Sequence, residues 1–172
     1  SGVILYDETL RQALTDGTPF PQYLFERGVL PGIKVDLGIE HDPQFGGGVT
    51  PGLDGLRGRL QAYVGLGARF AKWRATTAVG TPHGAPHVRE NASRMAVYAE
   101  ECIAEGLVPI VEPEVLMDGA HTAAEAEETL VETLAVTIDA LNARDIDLRS
   151  VIIKTSMAVS GKDASVRADS RE

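Results

Sequence analysis

Short apolar runs alternate along the chain with longer stretches in which apolar residues recur every three or four positions. The short runs are rich in valine and isoleucine, as expected of buried strands, whereas the longer stretches have the period of amphipathic helices. Strands are predicted over residues 3–6, 32–37, 69–74, 108–115 and 151–157. Because long crossovers separate successive strands, we expect a parallel sheet, either doubly wound or closed as a barrel.

Two helix starts carry capping signals. Thr122 and Glu125 have the spacing of a capping box, and Asp54 is placed to cap the stretch that ends at Gly67. After the capping box, one helical stripe predicted to be buried consists of Val131, Leu134, Ala135, Ile138 and Leu141.

The glycine-rich stretch FGGGVTPGLDGL, residues 45–56, has some of the composition of a phosphate-binding loop. It lacks the lysine followed by serine or threonine of a P-loop, and its glycines do not have the spacing of a dinucleotide-binding fingerprint. We therefore expect a flexible loop before a helix rather than a nucleotide site.

The composition indicates an ordinary globular protein, and the length suffices for one domain or for part of a larger one. The chain has 172 residues, 44% of them hydrophobic, and a formal net charge of −9. This acidic balance argues against nucleic acid and anionic membranes as partners, and no apolar run is long enough to span a bilayer. Cys102 is the single cysteine and is expected in the core, so we predict a cytoplasmic protein. We expect one domain over residues 1–172, with residues 161–172 as a polar tail or loop.

Charged residues lie at the carboxyl ends of four predicted strands, at intervals of roughly forty residues. The pairs are Lys34 with Asp36, Lys72 with Arg74, Glu112 with Glu114 and Lys154 with Ser156. Residues two apart on a strand face the same side, and the carboxyl ends of parallel strands form one edge where active sites lie. The alternative is that these are solvated strand ends. Four pairs at matched depth favour one charge-compensated cluster.

A lysine in such a cluster suits imine chemistry. Burial and neighbouring cations lower the pKa of a lysine and leave its amine nucleophilic. We therefore predict that Lys154 captures a carbonyl group and that Glu112 or Glu114 moves the protons. The other cations suit an anionic, phosphorylated substrate.

Ordered motifs over nearly the whole chain resemble those of class I fructose-bisphosphate aldolase. They are GVILYDETL, DGTPF, GIKVDLG, GLDGL, FAKWR, ENASRMAVYA, GLVPIVEPEVLMDGAH and VIIKTSM. The resemblance implies a closed (β/α)8 TIM barrel and cleavage of fructose 1,6-bisphosphate to dihydroxyacetone phosphate and glyceraldehyde 3-phosphate. It also implies a lysine imine, no metal, no cofactor and a homotetramer.

The resemblance assigns a role to each charged residue of the cluster. It implies that Lys154 forms the Schiff base, that Glu112 is the general acid/base and that Glu114 supports the charge network. The residues that it places against the substrate hydroxyl and phosphate groups are Lys72, Arg74 and Lys34. The sequence differs from animal-type members after the lysine, where Thr155 and Ser156 replace proline and asparagine, as in a bacterial branch.

The five predicted strands resemble the second to the sixth of the eight in such a barrel. We therefore expect a partial chain, or one that a partner completes, with little activity alone. A non-catalytic interaction protein derived from an aldolase is the alternative function; FAKWR together with IVEPE disfavours a transaldolase. A zinc site at His83 and His87 is not expected, because Gly84 and Pro86 make that helix start irregular.

Overall fold

The computed structural model describes residues 1–166. The strands are β1 Gly2–Leu5, β2 Leu30–Lys34, β3 Glu40–Asp42, β4 Gly47–Val49, β5 Phe70–Thr77, β6 Val108–Val115 and β7 Ile152–Ile153. The helices are α1 Asp7–Leu10, α2 Phe20–Phe25, α3 Leu56–Gly65, α4 Pro86–Ala104 and α5 Ala123–Asn142, and a 3-10 turn spans Leu148–Ser150.

Five strands form one sheet in the order β1-β2-β5-β6-β7, and every neighbouring pair is parallel. The α/β class and the parallel arrangement predicted from the strand–helix alternation are therefore confirmed. Among the described residues, β1 and β7 are the edges of this sheet, so the five strands alone do not close on themselves.

The strand limits were predicted within one residue for β1 and β6 and less closely for β2, β5 and β7. β6 has the predicted bounds, and β5 continues to Thr77, beyond the predicted end. β2 ends at Lys34, so Asp36 follows the strand instead of lying on it. β7 contains two residues where residues 151–157 were predicted, because pairing with β6 stops at Ile153.

The glycine-rich stretch is not simply the flexible loop that was expected. Its residues 47–49 form β4, which pairs antiparallel with β3. The amide of Asn91 on α4 fixes this hairpin, since Nδ2 donates to the carbonyl of Gly48 at 2.9 Å and Oδ1 accepts the N–H of Thr50 at 2.9 Å. A buried amide with both ends paired holds the loop to the helix layer.

The hydrophobic core lies between the outer face of the sheet and the helices. Trp73 of β5 is fully buried there against Tyr98 of α4, with ring centroids 5.5 Å apart. This is the packing expected from its position between two inward-facing charges. Cys102 is also buried in this core, as predicted.

The helix predictions were right in one cap and wrong in another. The capping box of α5 is present, with Thr122 Oγ1 accepting the N–H of Glu125 and the glutamate accepting the N–H of Thr122. α3 begins after Gly55 without a side-chain cap, so Asp54 does not cap it. In α5 the predicted stripe is right at Leu141, which is buried, and wrong at Val131 and Ala135, which are exposed, while Leu134 and Ile138 are half-buried. The other buried positions are Ala126, Thr133 and Thr137.

Residues 161–166 contain no helix or strand and bond to the loop after β6, where the N–H of Lys162 donates to the carbonyl of Met117. The rest of the predicted tail, residues 167–172, lies outside the described residues. Over residues 1–166, no helix is both long enough and apolar enough to cross a membrane.

Candidate active site

The register of the sheet brings the predicted charged side chains together near the carboxyl ends of the strands, which we call the charged edge. Lys34 of β2 is directly opposite Lys72 of β5, and Arg74 is opposite Glu112 of β6. All of these side chains leave the face of the sheet that does not carry the helices, because Trp73 between them points into the core. The parallel strands thus place cations and carboxylates at matched height on a shared surface.

Glu112 lies between two lysines. One carboxylate oxygen bonds the ammonium group of Lys154, and the other lies 2.9 Å from the ammonium group of Lys72. The side chain of Glu112 is only 7% exposed, so both ion pairs act in a partly desolvated setting. Oε2 of Glu112 is closed off from solvent, and the ammonium group of Lys72 is its partner within residues 1–166.

Asp36 occupies the equivalent position between Lys34 and Lys72. Its Oδ1 is 2.6 Å from Nζ of Lys34, and its Oδ2 is 3.6 Å from Nζ of Lys72. Oδ2 also accepts the backbone N–H of Arg74 at 3.2 Å. Two lysines side by side on neighbouring strands repel each other, and this buried carboxylate separates their charges.

Arg74 and Glu114 form a separate pair farther along the same strands. The guanidinium donates from Nε to Oε2 at 2.5 Å and from Nη2 to Oε1 at 2.8 Å. These two bonds lower the pKa of Glu114, with smaller contributions from Lys154 and Lys72, and burial opposes the shift. The same contact raises the pKa of Arg74. Glu114 is therefore held ionised, while Arg74 keeps its charge next to the cluster.

Lys154 is held by the segment that follows β7. Its backbone N–H donates to the carbonyl of Val111 at 2.9 Å, and two residues on, Oγ of Ser156 accepts the N–H of Val115 at 3.0 Å. The side chain of Lys154 is 54% exposed, so the burial predicted for it is not found in residues 1–166. Among the described residues β7 is an edge strand, and none of their elements covers the lysine from that side.

All six predicted site residues therefore lie at one edge, although their assigned roles remain predictions. They are Lys34, Lys72, Arg74, Glu112, Glu114 and Lys154. Sequence analysis assigned no role to Asp36 or Ser156, although both belong to the pairs of residues two apart. That spacing was the available signal.

A second layer supports Arg74 from outside. The hydroxyl of Thr50, just after β4, donates to the carbonyl of Arg74 at 3.0 Å, and Thr50 is itself held by Asn91. No sequence motif indicated this link, because it joins residues that are far apart in the chain.

The histidines lie away from this edge cluster. Nδ1 of His83 is 2.7 Å from the carboxylate of Glu132 on α5, and the ring of His87 packs over Gly47. Over residues 1–166, no three of the His, Cys, Asp and Glu side chains are grouped so that they could hold a metal ion.

The geometry favours nucleophilic amine chemistry with proton transfer. Moving one proton from Lys154 to Glu112 produces a neutral amine and a carboxylic acid in contact with each other. An amine of this kind can attack a carbonyl group, and the acid can protonate the oxygen that leaves. The cations on the other side of Glu112 can receive an anionic group.

Comparison with known proteins gives one consistent result. The family model for fructose-bisphosphate aldolase class-I matches residues 1–172. A probable fructose-bisphosphate aldolase class 1 from Xanthomonas campestris is 46% identical over 175 residues, which cover 100% of this chain and 52% of the relative. Fructose-bisphosphate aldolase 5, cytosolic, from Arabidopsis thaliana is 46% identical over 166 residues, covering 95% and 46% respectively.

A solved structure shares the fold. The fructose-bisphosphate aldolase from Plasmodium falciparum, crystallised in complex with TRAP and a small-molecule inhibitor, superimposes with a TM-score of 0.92 at 36% identity. The match covers 98% of this chain and 50% of that one. The chain thus has part of an aldolase barrel fold and spans about half the length of the relatives it matches.

Proposed function

The chain belongs to the class I fructose-bisphosphate aldolase family, and on this premise we propose that it carries the lysine Schiff-base site of a carbon–carbon lyase. The proposed reaction cleaves fructose 1,6-bisphosphate to dihydroxyacetone phosphate and glyceraldehyde 3-phosphate. The observation that carries the proposal is the direct contact between Lys154 and the nearly buried carboxylate of Glu112.

The first step uses both members of this contact. Glu112 takes a proton from Lys154, and the neutral amine forms a bond to the ketone carbon of the sugar to give a carbinolamine. Glu112 then returns its proton to the departing hydroxyl group, which leaves as water, and an iminium ion remains on Lys154. The carboxylate of Glu112 is thereby regenerated.

The iminium ion accepts the electron pair of the carbon–carbon bond that breaks. A base must take the proton of the sugar hydroxyl on the departing carbon, and Glu112 is again the carboxylate within reach of Lys154. The aldehyde leaves, an enamine stays on the lysine, and protonation at carbon followed by hydrolysis frees the second product and the amine. Every proton in this sequence moves between substrate, water and the pair of Lys154 and Glu112.

The surrounding charges suit a phosphorylated substrate. The described edge cluster contains four cations against three carboxylates, Asp36, Glu112 and Glu114. An anionic group therefore adds to a site with excess positive charge, although the whole chain is acidic. Lys34, Lys72 and Arg74 are proposed to contact the hydroxyl and phosphate groups.

Borohydride trapping tests the proposal. The protein is incubated with dihydroxyacetone phosphate, reduced, digested and examined by mass spectrometry for an adduct on Lys154, first as the wild type and then as Lys154→Met. The matched control is Lys162→Met, because Lys162 is 59% exposed and also pairs with a carboxylate, that of Asp118. We expect the adduct in the wild type and in Lys162→Met and its loss in Lys154→Met.

An adduct spread over exposed lysines would show nonspecific chemistry, and the absence of any adduct would favour the non-catalytic interaction protein. Replacing the phosphorylated ketone with unphosphorylated dihydroxyacetone tests the substrate class, and we expect the trapped yield at equal concentration to fall. Equal yields would contradict a phosphate site among the cations.

The compartment and assembly are proposed by resemblance. The names of the matching relatives from Arabidopsis thaliana and Pisum sativum include "cytosolic" and "cytoplasmic" respectively, which supports a cytoplasmic location. The homotetramer implied by the family resemblance is tested by light scattering after size exclusion. A single-chain mass under all conditions would exclude it.

A further inference from the structure

Lys72 has two carboxylates where an ion pair needs only one. Its ammonium group lies 2.9 Å from Oε2 of Glu112 and 3.6 Å from Oδ2 of Asp36, which reach it from opposite sides. The lysine side chain is 9% exposed and that of Asp36 is 3% exposed. A buried ammonium group is costly without a counter-ion, so either carboxylate alone would suffice to keep Lys72 charged and in place.

The second carboxylate becomes necessary when Glu112 is neutral. In the proposed reaction Glu112 carries a proton during carbinolamine formation and again during bond cleavage. Each time it is protonated, it stops balancing the charge of Lys72. Asp36 takes no part in these transfers and still lies within ion-pair distance of Lys72.

We propose that Asp36 is a positioning residue that serves as the standing counter-ion of Lys72, holding its ammonium group in place while Glu112 gains and loses a proton. This inference rests on the proposed function for its kinetic part only. Its structural part concerns three side chains, Asp36, Lys72 and Glu112, and holds whether or not the protein cleaves a sugar.

Several charged groups face Glu112 and Asp36 from the neighbouring elements. Lys72 and Arg74 come from β5, Glu114 from β6, Lys154 from the segment after β7 and Lys34 from β2. Arg74 and Glu114 neutralise each other, and Lys154 is half exposed and can be solvated. Lys34 keeps a hydrogen bond to the backbone carbonyl of Asp36 at 2.8 Å, so it retains a partner when the carboxylate is replaced. Lys72 is thus the cation that depends on Asp36.

A double-mutant cycle in thermal stability tests the structural part without substrate. Asp36→Asn and Glu112→Gln are measured singly and together, since each amide keeps the shape and removes the charge. We expect each single variant to lose a few degrees in Tm, because one counter-ion remains, and the double variant to lose clearly more than the two losses combined. Adding Lys72→Met to the double variant should recover part of the loss, because it removes the unpaired buried charge.

Additive losses in the cycle, or no recovery with Lys72→Met, would overturn the inference. The control is Asp147→Asn, which removes the partner of Arg149 at the opposite end of the sheet. Combined with Glu112→Gln, it should give additive losses.

The kinetic part is tested by the rate of imine trapping at Lys154 with dihydroxyacetone phosphate and cyanoborohydride over a range of pH. The reactive form has Glu112 protonated and Lys154 neutral, and without Asp36 this form leaves Lys72 unpaired. We therefore expect Asp36→Asn to lower the plateau rate by roughly tenfold and to move the acidic limb to lower pH, because the variant removes one negative charge from the surroundings of the Lys154–Glu112 pair. The Asp147→Asn profile should coincide with that of the wild type.

The outcomes separate the two proposals. No adduct in the wild type sinks the proposed function, and the stability cycle then still decides the role of Asp36. An adduct whose pH profile is unchanged by Asp36→Asn sinks the positioning role while leaving the Schiff-base site intact.

Discussion

The guanidinium group of Arg74 donates two parallel hydrogen bonds to the carboxylate of Glu114, across neighbouring strands and 40 residues apart in the chain. This fork geometry is specific to arginine, since a lysine ammonium group offers a point charge instead of two parallel donors. The pair fixes one end of the charge cluster and sets the ionisation of Glu114.

Arg74→Lys is therefore expected to destabilise the protein at neutral pH by about 1 kcal/mol, which corresponds to a fall in Tm of roughly 2–4 °C. The contact lowers the pKa of Glu114 below its ordinary value of 4.5. A lowered carboxylate pKa contributes stability above the ordinary value and loses it as the pH falls through the lowered value. The gap in Tm between wild type and variant should thus be full above about pH 5 and narrow below pH 4.

Arg149→Lys is the control, because Arg149 also bonds both oxygens of a carboxylate, that of Asp147, but is 90% exposed. Exposed pairs contribute little, so its Tm should stay near that of the wild type. A difference in Tm between the wild type and Arg74→Lys that stays constant from pH 7 to pH 3 would contradict the role given to Glu114.

Gly32→Ala should be strongly destabilising. A Cβ atom at Gly32 would lie 2.1 Å from the ring of Phe70, which covers the glycine from the neighbouring strand. Moving a ring on a packed strand costs about 1–3 kcal/mol, so we expect Tm to fall by several degrees in thermal denaturation. Combining the change with Phe70→Leu should recover part of the loss, because the space is then free.

Gly58→Ala supplies the matched control. Gly58 lies inside α3, and a Cβ there would meet nothing within 4 Å. Alanine has a higher helix propensity, so stability should rise by up to about 1 kcal/mol. If both variants shifted Tm equally, the close contact with Phe70 would not be the cause.

The sheet and its charged edge could be predicted because both depend on local patterns. Apolar runs placed β5 and β6, and alternation along them put Lys72 and Arg74 on one side and Trp73 on the other. Charged residues two positions apart at the ends of successive strands become neighbours as soon as the strands are parallel, so the charged edge followed from the sheet prediction.

The parts that could not be predicted depend on contacts between distant segments. β4 forms where the glycine content indicated a loop, because Asn91 of α4 pairs its backbone groups. β7 ends before Lys154 because its paired residues with β6 stop at Ile153, which lies opposite Val111. Farther along, the N–H of Val115 donates to the side chain of Ser156, and this bond connects the two segments instead. The buried face of α5 includes Thr133 and Thr137, and the hydroxyl of Thr137 donates to the carbonyl of Thr133 within the helix. A search for apolar residues misses such threonines.

Ser156→Ala should loosen the segment that carries Lys154. The variant removes the acceptor of the Val115 N–H, so we expect faster hydrogen exchange at Val115 by at least about tenfold. We also expect slower imine trapping at Lys154 with little change in Tm. Thr155→Ala is the control, because Thr155 is exposed and its hydroxyl donates to the neighbouring carbonyl of Ser156. Unchanged exchange at Val115 in Ser156→Ala would show that the hydroxyl does not hold the segment.

Cys102 reports on the opening of the helix layer. The thiol is on the buried face of α4, in the core, and burial raises its pKa to about 12. Since the thiolate is the reactive form, labelling by a disulfide reagent at pH 8 should be at least about a thousandfold slower in the native protein than in urea. Below the unfolding midpoint, the labelling rate should rise with urea as steeply as the unfolded population does, because the buried thiol is reached only by unfolding.

An exposed thiol on the same helix separates access from intrinsic reactivity. Ala104 lies at the end of α4 and is exposed, so Cys102→Ala combined with Ala104→Cys moves the thiol by two residues into solvent. This variant should react rapidly in the native state and show little dependence on urea. Native labelling of Cys102 that is equally fast, or independent of urea, would mean that α4 separates locally from the sheet. Solvent would then reach the core around Trp73, behind the charged edge, on the timescale of the labelling reaction.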